Sequence, residues 1–416
     1  MTHENTSMLT ALAAATDDRI FFDLAGIEAS YDVLIQELPD VAVRFAMKAC
    51  PVDEVISCLA ERGAGVDAAN PNEIAQAIRS GVPVDRIHYG NTVKSDRNIV
   101  DAHRLGIRDF ATDSLEDVMA IAEHAPGARV FCRLATDGQG ALWGLTNKFG
   151  CSAADAVRVL ERARETGLTP SGLSVHVGSQ QMTAEAWRSA FDKLADVLEV
   201  LHERGISLDH VNLGGGLPAL GYLNKRGERL DPPLDKIFAV IREGVRRCRG
   251  VPGHDLGFLV EPGRYLVADH GAIRAHVSRL STRGTPDGAR EHWLYLSCGK
   301  FNGLYEMDEL QYRLSFPTHQ GAELVPAVVA GPTCDSDDAY SREHGLVAVP
   351  RTVTSGDPVW VLSSGAYAIS YMTQGFNGFS PLPYTCFRDD GGTAGLGRRD
   401  SAGGSVGASV GGEGWE

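Results

Sequence analysis

The chain has 416 residues, of which 43% are hydrophobic and 22% charged, and a net charge of −15 at neutral pH. The length exceeds the usual range of about 50–250 residues for one domain, so two domains are expected of what reads as an ordinary globular composition. The acidic balance argues against nucleic acid and membrane surfaces as partners and favours approach of a cationic substrate; no apolar run nears the roughly 20 residues that span a bilayer.

Residues 1–15 lack the basic start and apolar stretch of a secretory signal, so cytoplasmic residence is expected. Residues 20–24 read as an early strand, and eight strand-like runs follow at 41–47, 64–66, 86–89, 107–111, 128–134, 172–177, 210–213 and 257–260. Amphipathic stretches such as 52–62, 71–80, 114–124, 153–166 and 184–204 lie between them with apolar residues at helical spacing. This α/β alternation describes a (β/α)8 TIM-type barrel, whose active site lies at the C-terminal ends of its strands. Beyond residue 266 the runs at 272–280, 293–297, 323–330 and 358–362 predict an antiparallel β domain, with which the early strand could pair. The expected division is a barrel over 25–266, a β domain from 1–24 and 267–388, and a disordered glycine- and serine-rich tail over 389–416. The eight cysteines form no Cys-x-x-Cys pair and have no zinc-spaced histidines, so no metal is expected.

The polar residues at the strand ends carry the chemistry. Lys48 ends the first barrel strand, where lost solvation lowers an amine's pKa from about 10.4 and makes it a nucleophile toward an aldehyde. His176 stands at the end of the sixth strand and Ser179 follows it; the imidazole either fills space or stacks on a flat ring, and the hydroxyl suits phosphate. Gly214-Gly215-Gly216 follow the seventh strand and let backbone N–H groups approach an anion. Glu261 and Arg264 follow the eighth. A buried carboxylate needs a partner such as a protonated heterocycle nitrogen, and the guanidinium suits phosphate. Together these residues specify pyridoxal phosphate better than any one of them does.

Read in order, they resemble the fold type III pyridoxal-phosphate decarboxylases acting on ornithine, lysine, arginine and diaminopimelate, over residues from about 20 to 387. The resemblance implies that Lys48, in Phe45-Ala46-Met47-Lys48, forms the Schiff base with the cofactor. It implies that His176 stacks on the ring, that Ser179 and the three glycines hold phosphate, and that Glu261 keeps the pyridine nitrogen protonated while Arg264 meets phosphate. Asp67 and Arg133 match the family's cofactor-side polar residues. Gly331-Pro332-Thr333-Cys334-Asp335 resembles the ornithine decarboxylase motif in which the cysteine protonates the decarboxylated carbon and the aspartate receives the distal amine. Gly365-Ala366-Tyr367 is similar to the motif whose tyrosine touches phosphate, and Phe376 begins the motif after it. The likeness further implies a head-to-tail homodimer with two shared sites, and an ion pair of Lys148 with Asp338 across its interface. The segment from Gly299 to Glu309 departs from the family: it is one residue shorter, and Tyr305 replaces a small residue. Glu306, Asp308 or Glu309 is there a candidate for a distal cation or a solvated charge.

The expected activity is decarboxylation of a basic L-amino acid, ornithine or lysine before arginine, to an amine of the polyamine type. The alternatives are a decarboxylase of diaminopimelate or of a modified amino acid, an amino-acid racemase, and a catalytically silent regulatory homologue.

Overall fold

In the computed structural model, residues 6–145, 148–285 and 288–388 are described, so the expected tail at 389–416 lies outside the described residues. Among the described residues eighteen strands follow in chain order. They are β1 (Arg19–Asp23), β2 (Val41–Ala46), β3 (Gly65–Ala68), β4 (Ile87–Tyr89), β5 (Asp109–Thr112), β6 (Arg129–Arg133), β7 (Ala141–Trp143), β8 (Thr169–Ser174) and β9 (Ser179–Gln181), then β10 (His210–Asn212), β11 (Gly257–Val260), β12 (Gly271–Gly284), β13 (Arg290–Leu296), β14 (Arg313–Ser315), β15 (Leu324–Ala330), β16 (Val347–Pro350), β17 (Pro358–Leu362) and β18 (Tyr384–Phe387).

Strands β2, β3, β4, β5, β6, β8, β10 and β11 close into a parallel barrel, with β11 pairing back onto β2 through Leu259 and Ala42. The strands are short and apolar because helices cover the outside while side chains fill the inside. In β2, for example, Val41, Val43 and Phe45 are buried. Four of the covering helices start at a side-chain cap. Asn70 accepts from the N–H groups of Asn72 and Glu73 with Pro71 at the first helical position, and Ser95, Ser114 and Ser152 each accept from an N–H three residues on. Trp187, Phe191, Leu194 and Leu198 of the helix Glu185–Glu203 are buried.

The second layer is a sheet in the order β14-β17-β12-β13-β15-β16, largely antiparallel, with one parallel pairing between β13 and β15. The early strand β1 joins it, antiparallel to β12 through Ile20 and Ile273 and parallel to β18 through Ile20 and Tyr384. The expected barrel and β domain are therefore both present. One small element was not expected: β7 and β9 form an antiparallel pair joining Ala141 to Gln181 and Trp143 to Ser179. Among the described residues, no helix is long and apolar enough to cross a membrane.

Candidate active site

At the C-terminal mouth of the barrel lies a cleft of about 520 Å³ bordered by Lys48, Asp67, Arg133, Ser179, Arg264 and Tyr367, among others. Lys48 sits in the short turn Met47–Ala49 that follows β2. Two contacts fix this turn: Ala46 N donates to Pro262 O at 3.1 Å, and Tyr367 N donates to Ala49 O at 2.7 Å. The second contact holds Tyr367 at φ +62°, a left-handed conformation uncommon for a bulky residue. The β domain thereby grips the loop that carries the amine.

The Lys48 side chain is half exposed to the cleft, with Nζ 3.9 Å from Asp67 Oδ2. Burial of its surroundings lowers its pKa, but the negative charge of Asp67, with Tyr367 and Glu261, outweighs this and raises it. The expectation that lost solvation would lower this amine is thus corrected: a paired carboxylate wins over desolvation. Burial pushes the Asp67 carboxyl up, but the neighbouring His88 imidazole and the charges of Lys48 and Arg133 bring it down to about 2.

His176 follows β8. Its Nδ1 accepts from Gly178 N at 3.1 Å, which leaves the ring proton on Nε2. Burial, and then the positive charges of Arg133 and Lys48, push its pKa far down, so the ring is a neutral plate. Gly214–Gly216 pass close beneath. A Cβ on Gly214 would lie 2.1 Å from Val175 O, one on Gly215 3.0 Å from His176 Nε2, and one on Gly216 2.7 Å from Gly178 O. No other residue lets the backbone come so near.

Glu261 leaves the end of β11, and its N–H donates to Gly214 O at 2.8 Å. Its Oε1 receives Asn212 Nδ2 at 2.5 Å, and Asn212 Oδ1 receives Gly214 N at 2.8 Å. One asparagine thus ties the glycine loop to the carboxylate. His88 Nε2 also lies 2.8 Å from Glu261 Oε1. Sequence reasoning passed over both Asn212 and His88. The asparagine stands within the glycine motif, and a histidine inside an otherwise apolar barrel strand is the signal that would have found the other.

Arg264 is 4% exposed. Its Nη2 donates to Ser179 Oγ at 3.1 Å, its Nη1 to the Tyr222 hydroxyl at 2.9 Å, and both ends meet the Glu306 carboxylate, Nη2 to Oε1 at 2.6 Å. The guanidinium lies 4.4 Å from the Trp143 ring and 4.8 Å from that of Tyr367. Glu306, a candidate for the distal cation from sequence, is itself buried and holds Arg264 instead. The acids left at the cleft mouth are Asp308, 2.8 Å from Lys300, and Glu309, 3.2 Å from Lys225. Tyr305 lines the cleft and stacks on Tyr371 with ring centres 3.9 Å apart.

Cys334, Asp335 and Phe376 do not border this cleft. Cys334 is exposed, and its N–H and Sγ reach Asn377 Oδ1 at 2.8 and 3.2 Å. Phe376 packs on Phe301, with ring centres 4.8 Å apart. Asp338 is buried and takes bonds from Lys300 N, Thr333 N and Thr333 Oγ1 of its own chain, while Lys148 Nζ lies 4.9 Å from the Phe149 ring.

A flat neutral imidazole, a side-chain-free backbone cradle beside a hydroxyl and a guanidinium, an anchored carboxylate and an amine within one mouth fit pyridoxal phosphate. Residues 24–268 match the family described as "Pyridoxal-dependent decarboxylase, pyridoxal binding domain". The chain belongs to this family. Among this decarboxylase's relatives, the lysine/ornithine decarboxylase of Selenomonas ruminantium is 28% identical over 368 residues, covering 87% of this chain and 88% of that one. The lysine/ornithine decarboxylase of Vibrio vulnificus, solved with cadaverine, superposes with a TM-score of 0.79 at 27% identity, over 93% of this chain and 99% of that one. The structure of SrLDC with PLP and cadaverine gives a TM-score of 0.79 at 26% identity, over 93% and 94%. The decarboxylase's cofactor is pyridoxal phosphate.

Proposed function

We propose that this decarboxylase acts on a basic L-amino acid, ornithine or lysine before arginine, releasing CO2 and a diamine of the polyamine type. The observation that carries this reading is Lys48 in one mouth with Glu261, the glycine loop and an acidic rim. Relatives solved with cadaverine and putrescine support the choice of substrate.

When bound, the cofactor supplies an electron sink for the carbon that loses its carboxylate. Lys48 offers the amine that tethers it, and Asp67 keeps a negative charge beside that amine. His176, neutral and flat, would lie against the ring without adding a charge. Glu261, steadied by Asn212, would hold the ring nitrogen protonated. Gly215, Gly216, Ser179 and Tyr367 would hold the phosphate, with Arg264 at its edge. Arg133 faces the cleft and balances its carboxylates.

The proton for the reacting carbon falls to Cys334, and the distal amine to Asp335. Because neither borders the cleft of its own chain, both would come from the partner subunit of a head-to-tail homodimer, with Phe376 beside them. We place this dimer in the cytoplasm, with no nucleic-acid or membrane partner.

The test is direct. Protein loaded with pyridoxal phosphate should be yellow, lose its visible absorbance on borohydride treatment, and convert one of a panel of basic amino acids to its amine, identified by mass spectrometry. Lys48→Arg should abolish turnover. Unchanged turnover in that variant, or no amine from any basic amino acid, would overturn the reading.

A further inference from the structure

His88 is among the most enclosed ionisable groups near the site. It lies in β4 and is 1% exposed. The Phe131 ring stands 5.2 Å away. Its Nε2 lies between two carboxylates, 2.8 Å from Glu261 Oε1 and 3.2 Å from Asp67 Oδ1. It is aligned for a full bond to neither. Facing atoms of all three residues lie within 4.8 Å of one another. The strand register sets this up, because β3 and β4 pair Asp67 with His88 while Glu261 arrives at the end of β11, on the other side of β2.

Two carboxylates this close in a barrel interior repel, and without a charge between them one takes up a proton. The two serve different atoms, since Asp67 faces the amine of Lys48 and Glu261 is assigned the ring nitrogen. Arg44, from β2, also faces the imidazole, and its positive charge opposes protonation there.

We propose that His88 is a positioning residue whose Nε2 proton, shared between Asp67 and Glu261, keeps both carboxylates ionised and in place. This rests on Glu261 holding the ring nitrogen. Burial lowers the imidazole's pKa and the two carboxylates raise it, with a net rise.

The test uses His88→Gln, which keeps a donor without the charge, and His88→Leu, which removes both. Apoenzyme is titrated with pyridoxal phosphate by visible absorbance, and the holoenzyme spectrum is followed with pH. Both variants should bind the cofactor about tenfold more weakly, equivalent to ~1.4 kcal/mol. Their spectra should change across neutral pH where the wild-type spectrum is constant, and kcat should fall more than KM rises. In an Asp67→Asn background, with one carboxylate gone, the same His88 substitutions should cost much less. If the leucine variant does not fold, the glutamine variant carries the comparison. Cofactor affinity and spectra like wild type, or equal losses in both backgrounds, would overturn the role of His88 alone. Wild-type protein that takes up no cofactor would overturn the site and this role with it.

Discussion

Glu306 shows how far a side chain's partner decides its use. Its carboxylate holds Arg264 inside the protein, where both groups are almost fully buried. Removing one partner of such a pair leaves a bare buried charge, at a cost of about 3–5 kcal/mol. Glu306→Ala should therefore lower the denaturant midpoint markedly, while Glu309→Ala at the exposed rim should leave it nearly unchanged. His176 carries a pH signature of the opposite origin. Its folded pKa lies below the ordinary value of about 6.5, so as pH falls the unfolded chain takes up this proton first. The stability it contributes is complete above about pH 6.5 and is lost as pH falls from there toward the folded value. Urea midpoints measured between about pH 7.5 and 5 should fall, and fall less in His176→Phe.

At the scale of elements, the glycine loop is a close fit. A methyl group on Gly215 would press 3.0 Å from His176 Nε2 and 3.1 Å from Glu261 O, so Gly215→Ala should displace the ring plate. A cofactor dissociation constant raised about tenfold or more, measured by absorbance titration, is the expected result. Much of this was legible in the sequence. The eight barrel strands show as apolar runs because each is buried on both faces, and Lys48, His176, Gly214–Gly216 and Glu261 stand where those runs end. The β7 and β9 pair was not legible, since two three-residue strands far apart in the chain leave no periodic pattern and their pairing is fixed by the loops around them. The depression expected for Lys48 was also misread: sequence shows the buried strand but not that Asp67, on the neighbouring strand, brings a counter-charge. Arg264 borders the cleft, but Glu306 as its partner depends on a contact between barrel and β domain that local pattern does not encode.

For the whole molecule, the placement of Cys334 and Asp335 outside the cleft of their own chain makes a specific demand on assembly. If each site draws on two subunits, mixing inactive Lys48→Ala with inactive Cys334→Ala protein should restore roughly a quarter of wild-type activity, because mixed dimers carry one intact site. Decarboxylation assays of the mixture against each parent check this; no recovery after subunit exchange, shown by differently tagged chains, would argue for sites complete within one subunit.

The position of β1 constrains how the protein can be made. This strand emerges early from the ribosome but has β12 on one side and β18 on the other, so its second edge stays open until almost everything else has been synthesised. Through that interval Ile20 and Phe22, fully buried in the finished sheet, sit on an unclosed apolar border able to template wrong pairings. Nascent chains halted before Tyr384 should therefore aggregate or recruit chaperones, whereas chains released after Phe387 should not.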